Sequence, residues 1–189
     1  MNIAVYCGSV TGHDAIFTKR AEELGQWIAD HHHTLIFGGG NIGLMGTVAE
    51  AVFRHEGKVI GVLPANIDFI IERPQPFCTE IIQAPDMASR KVKMMELADA
   101  YIALPGGIGT LDELTEIMTL IRIDYYRKPA VIFNINNYYE PFKSMLDQMI
   151  DNGFMDQKDL DRVLFSDRLE EIESFLLAQT AVSDHNTAT

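Results

Sequence analysis

AYIALPGGIGTLDELTEIMTLIRID, residues Ala100–Asp124, changes its period within a few residues. Ala100 to Leu104 is a short apolar run suited to a buried strand. From Gly109 to Asp124, by contrast, Leu111, Leu114, Met118 and Ile121 recur at helical spacing. A strand that passes through a glycine-rich turn straight into an amphipathic helix is half of a βαβ unit. The rest of the chain repeats that unit in both directions.

Toward the C-terminus, Pro129–Asn134 reads as a strand, and Tyr139–Asp151 as a helix closed by Gly153 at the position after its cap. Arg162–Phe165 reads as an edge strand and Leu169–Leu177 as a closing helix. Toward the N-terminus, strands are predicted at Asn2–Cys7, Thr34–Phe37, Lys58–Leu63 and Thr79–Gln83. Helices are predicted at Asp14–Ala29, Leu44–His55 and Met87–Ala98, the first with Phe17, Ala21, Leu24 and Ile28 on one face. The stretch from Pro64 to Pro76 has no clear period and reads as a loop over one end of the sheet. Alternation of this kind predicts an α/β, Rossmann-like, doubly wound and mostly parallel sheet with helices on both faces. Residues 1–178 are expected to form one domain, and 179–189 a frayed polar tail.

The chain has 189 residues, 47% of them hydrophobic, with a mean hydropathy of +0.02, enough to close a core without disulfides or metals. Its 15 Lys and Arg against 27 Asp and Glu give a net charge of −12. That field and the lack of any basic run argue against nucleic-acid binding. No apolar run approaches the roughly 20 residues that cross a bilayer. Cys7 and Cys78 read as reduced thiols of a cytoplasmic protein. His31, His32 and His33 are consecutive and read as a solvated helix end, so no metal site is expected.

In an open parallel sheet, ligands sit beyond the carboxyl ends of the strands. Those ends carry Gly8–Ser9, Gly38–Gly40 with Gly43 and Gly46, and Pro105–Thr110, so three glycine clusters face one edge. The last reads as a phosphate cradle: glycines admit close backbone approach, free N–H groups at the helix start favour an anion, and Thr110 is placed to cap the helix. A tight turn without a ligand is the alternative reading of such a loop. GGGNIGLMG only loosely imitates G-x-G-x-x-G, and no lysine follows the glycines as a P-loop requires. Arg90 and Lys91 stand in the first turns of a helix, where cations disfavour the dipole, which suggests an anionic partner. Glu113, between Asp112 and Glu116, sits one turn past the cradle.

PGGIGTLDE, Pro105–Glu113, resembles the P-G-G-x-G-T-x-x-E signature of the Lonely Guy family, the cytokinin riboside 5′-monophosphate phosphoribohydrolases. The resemblance extends through CGS at 7–9, GGGNIGLMG at 38–46, SRK at 89–91 and KPAVIFN at 128–134. It implies a Rossmann-like homodimer without cofactor that hydrolyses the N-glycosidic bond of AMP or an N6-modified AMP such as N6-isopentenyl-AMP. Arg90 and Glu113 then match the catalytic pair. Gly106, Gly107, Ile108, Gly109, Thr110, Leu111 and Asp112 match the phosphate and ribose loop, with Lys91 beside it. Met87, Glu72 and Thr119 fall where further substrate contacts are expected. Ala88 departs from the pattern by replacing the family's histidine, and Asp112 stands for the more frequent glutamate. Lysine decarboxylase labels attached to the family find no pyridoxal-phosphate lysine context here.

On this reading Glu113 stabilises an oxocarbenium-like ribose and Arg90 binds the phosphate or the departing purine. Met45, Met87, Met94 and Met118 are candidates for lining a base pocket, although helical spacing favours core for them. Dimerisation is expected through the apolar faces of the helices that begin near Met87 and Gly109. The rivals are a non-catalytic nucleotide carrier of the same fold and an NAD-dependent oxidoreductase.

Overall fold

The computed structural model describes residues 1–65 and 75–186, with side chains to residue 179. The described residues form seven strands and six α-helices. These are β1 (Asn2–Tyr6), α1 (Ala15–Asp30), β2 (Thr34–Phe37), α2 (Gly43–Arg54), β3 (Lys58–Pro64), β4 (Glu80–Ala84) and α3 (Met87–Leu97). Then follow β5 (Ala100–Ala103), α4 (Ile108–Arg122), β6 (Ala130–Phe133), α5 (Glu140–Asp151), β7 (Val163–Ser166) and α6 (Leu169–Asn186).

All six strand pairings are parallel, in the order β4-β3-β2-β1-β5-β6-β7. Successive β1 side chains enter opposite layers, as the two-residue period of a strand requires. Ile3 and Val5 join Leu24, Ile28, Val48, Val52 and Leu176 under α1, α2 and α6. Ala4 and Tyr6 join Met94, Met95, Ile117 and Ile121 under α3 and α4. Burial on both faces explains why the central strands read as unbroken apolar runs. From β1 the chain winds outward through β2, β3 and β4 on one side, then crosses back to β5 on the other side of β1. The crevice at their carboxyl ends is the switch point where such sheets bind ligands.

Strand and helix ends fall within two residues of expectation, with one exception. The closing helix runs to Asn186 rather than Leu177, because its later turns lack the apolar period that marks the earlier ones. Asp14 and Asp86 cap α1 and α3, accepting from Ile16 N–H at 3.0 Å and Ser89 N–H at 2.7 Å. Gly153 follows α5 at φ +77°, the left-handed turn expected of it. Short 3-10 turns at Ile135–Asn137 and Gln157–Leu160 were not foreseen. Asn136 and Asn137 both adopt positive φ, a conformation that Asn tolerates better than most side chains.

Candidate active site

The three glycine loops meet at one edge and are laced together through their backbones. Gly8 donates its N–H to Pro105 C=O at 3.0 Å, and its own carbonyl accepts from Leu44 N–H at 3.1 Å. The loops after β1 and β5 and the start of α2 are thereby tied at the switch point.

Their glycines serve different ends. A Cβ on Gly38 would stand 1.6 Å from Arg90 Nη2, and one on Gly43, at φ +63°, would strike the Ser9 backbone at 2.2 Å. Gly38 and Gly43 are thus required by close contact with the protein's own atoms. At Gly107 and Gly109 an added Cβ would meet nothing within 4 Å. Backbone there is open to a ligand. The first bond of α4 runs from Leu111 N–H to Gly107 C=O at 3.1 Å, so the N–H groups before it have no carbonyl one turn back and aim outward.

Thr110 departs from its expected role. Gly107 is the N-cap, and Thr110 lies inside the first turn, buried, with its hydroxyl side packed over Gly106. Ile108, the first helical residue, is 82% exposed at the mouth. Leu111 turns inward against the α4–α5 layer.

Arg90 and Glu113 come together from α3 and α4. The guanidinium is buried; its Nε donates to Val62 C=O at 3.1 Å and its Nη1 to Glu113 Oε1 at 3.2 Å. Gly38 leaves the gap that Nη2 fills. Arg90 thus engages the protein itself through Nε and Nη1, on Val62 and Glu113. About 14% of the Glu113 side chain remains exposed, which leaves one edge of the carboxylate for a substrate. Burial pushes its pKa above the usual carboxylate range, and neighbouring Arg90 only partly offsets this. The buried Tyr6 phenol is raised by burial first and Glu113 next, and its hydroxyl has no hydrogen-bond partner among the described residues.

Lys91 bridges the two helices, with Nζ 2.9 Å from Asp112 Oδ2 and 2.8 Å from Glu116 Oε2. Those two hydrogen-bonding carboxylates raise its pKa. Met87 is exposed at the start of α3, as is the neighbouring Ala88. Met94 and Met118 are core residues, and Met45 packs at the edge of the core against Gly40. Thr119 is not brought to this site within the chain: its hydroxyl donates to Thr115 C=O at 2.8 Å on the exposed side of α4. Six residues separate it from Glu113, about 9 Å along the helix. Glu72 lies outside the described residues.

Two further residues belong to the site that no motif pointed to. Tyr139 donates its hydroxyl to Leu104 C=O at 2.7 Å, and Tyr138 donates to Gly106 C=O at 2.6 Å. Their only sequence signal is an aromatic pair beyond a strand end. A cavity of about 740 Å³ lies elsewhere: it runs along α1 past Trp27 and His31 to Asp167 and Arg168. Nothing in it meets the Arg90–Glu113 pair.

Comparison with known proteins bears on this arrangement. Residues 45–175 match a family model described as "Possible lysine decarboxylase". The chain is 37% identical over 169 residues to a cytokinin riboside 5′-monophosphate phosphoribohydrolase of Rhodococcoides fascians, an alignment covering 89% of this chain and 85% of that one. It is 39% identical over 164 residues to the enzyme of that name, LOG, of Oryza sativa subsp. japonica, covering 87% and 67%. The chain belongs to this family. Among solved structures, a molybdenum cofactor carrier protein of Chlamydomonas reinhardtii superposes with TM-score 0.71 at 20% identity, over 95% of this chain and 97% of that one. A molybdenum cofactor binding protein of Rippkaea orientalis gives 0.67 at 23%, over 92% and 95%. These two establish the shared fold. As a Lonely Guy family member, the chain keeps the arginine and glutamate of its motifs in contact, and it replaces the motif histidine with a small exposed alanine.

Proposed function

We propose that this protein is a phosphoribohydrolase: it hydrolyses the N-glycosidic bond of an adenosine 5′-monophosphate, plain or N6-modified, and releases the free base and ribose 5-phosphate. The observation that carries this reading is the Arg90-held carboxylate of Glu113, one turn past a helix start whose glycine backbone is open to a phosphate. The relatives' names, phosphoribohydrolases of cytokinin riboside 5′-monophosphates, supply the substrate class.

The N–H groups of residues 107–110 hold the 5′-phosphate, and this remote binding positions the sugar. As the C1′–N9 bond lengthens, positive charge gathers on the ribose ring and Glu113 stabilises it. Water oxygen bonds to C1′, the C1′–N9 electron pair leaves with the base, and a proton derived from that water ends on the base. Arg90 stays charged and is a poor acid, so its part is to position the carboxylate. Asp112 and Lys91 brace the same turn.

The test is release of base and ribose 5-phosphate from AMP and from N6-isopentenyl-AMP. Glu113→Gln keeps an acceptor for Arg90 and is expected to lower kcat about 10²–10³-fold with the fold intact. Unchanged turnover in that variant removes Glu113 from the chemistry, and equal turnover of adenosine and AMP removes the phosphate cradle. Tight AMP binding without release supports a carrier instead.

The same reading extends to assembly and location. Exposed Met87 and Val92 on α3 beside α4 support a homodimer through these helices. Sedimentation at twice the 21.2 kDa chain mass is the expected result, and a monomer at micromolar concentration overturns it. Free thiols at Cys7 and Cys78 fit the reducing cytoplasm. Among the described residues no helix is long and apolar enough to cross a membrane.

A further inference from the structure

The geometry points to Tyr138 as a positioning residue for the phosphate: its hydroxyl orients the Gly106–Gly107 peptide so that the Gly107 N–H faces the ligand. This rests on the phosphoribohydrolase reading and names a residue that its motifs do not contain.

In a trans peptide the C=O and the following N–H point in opposite directions, and the described chain has no cis bond. Tyr138 Oη donates to Gly106 C=O at 2.6 Å, so the carbonyl is drawn toward the tyrosine and the Gly107 N–H is directed away from it. Gly106 and Gly107 have no side chains to resist a flip of this plane, and glycine populates both orientations readily. A flipped plane presents a carbonyl oxygen to the phosphate, replacing an attractive dipole with a repulsive one. A partner outside the loop distinguishes the two states, and Tyr138 supplies one.

The tyrosine is itself built into place. Asn136 and Asn137, at φ 52° and 59°, turn the chain sharply after β6. Asn134 Oδ1 accepts from Tyr139 N–H and its Nδ2 donates to Glu140 Oε1, each at 2.7 Å, which fixes the exit of that turn. The Tyr138 ring then meets Phe17 edge-on at 5.9 Å and Tyr139 at 5.0 Å. Tyr139 secures the strand end at Leu104, and Tyr138 reaches two residues further, to the loop itself. Ring packing and hydroxyl contact are separable, because a phenylalanine preserves the first and deletes the second.

Tyr138→Phe therefore tests the assignment. The KM for AMP is expected to rise about tenfold, and the inhibition constant of ribose 5-phosphate to rise by the same factor, with the thermal midpoint within about 2 °C of the parent. A merely structural role shifts the midpoint without a matched change in ribose 5-phosphate affinity. A KM and an inhibition constant both within twofold of the parent, or a fall in kcat alone, overturns the assignment. Should the parent protein release no base from any nucleotide, the phosphoribohydrolase reading fails separately. Calorimetric binding of ribose 5-phosphate to parent and variant then decides the role of Tyr138, with a tenfold weaker affinity expected and equal affinities overturning it.

Discussion

In the proposed mechanism Glu113 acts ionised, and its surroundings oppose that ionisation. Burial raises its pKa, and the Arg90 guanidinium recovers part of the charge. The sign for activity follows: protonation of the free enzyme removes the carboxylate, so kcat/KM is expected to climb through an acid limb above the ordinary carboxylate range. The sign for stability is the reverse. A carboxyl with a raised folded pKa contributes stability that is complete below its unfolded value and is lost as pH rises through the folded one. Activity thus appears across the window in which this group ceases to support the fold. A pH profile of kcat/KM is the check, and an acid limb at an ordinary carboxylate position contradicts it. The substrate phosphate also titrates near pH 6, and the pH dependence of ribose 5-phosphate inhibition separates the two.

Helix–helix contact explains a glycine that has no part in the chemistry. At Gly25 on α1, a Cβ would lie 2.6 Å from Ala51 Cβ and 2.7 Å from the Val48 carbonyl on α2. Intrinsic propensity favours alanine in a helix by about 1 kcal/mol, whereas overpacking against backbone costs about 1–3 kcal/mol. The second effect wins because a carbonyl cannot swing aside as a side-chain tip can. Gly25→Ala is expected to lower the thermal midpoint by up to about 8 °C with KM unaltered, since α1 and α2 cover the face opposite α3 and α4. A raised midpoint contradicts the packing argument. Elements of this kind were legible because a parallel sheet buried on both faces leaves apolar runs, and its helices leave a 3.6-residue period. The end of α6 was not, for its later turns are polar. Nor was the Asn134–Tyr139 turn, whose shape depends on two left-handed asparagines and whose target lies 32 residues away.

At the scale of the whole molecule, a chain of net charge −12 is read as binding an anion, and the fold reconciles these by concentrating backbone N–H groups at the switch point. That edge was predictable from strand order and glycine position. The Arg90–Glu113 pair was legible as a motif, but its environment was not: Gly38 as the vacancy for a guanidinium, and Val62 as its acceptor, are contacts of α3 with β3 and the loop after β2 that no local spacing encodes. The same non-locality sets an order of events in time. Arg90 finds Gly38 and Val62 among residues already synthesised, whereas Glu113 follows 23 residues later. At about 5–20 residues per second, the arginine waits roughly 1–5 s on the ribosome for its carboxylate. Burying a guanidinium without its counter-charge is costly, so closure of the sheet over α3 is expected to follow the emergence of α4. On that expectation the Arg90–Glu113 contact, which ties α3 to α4, is among the last of the site to form.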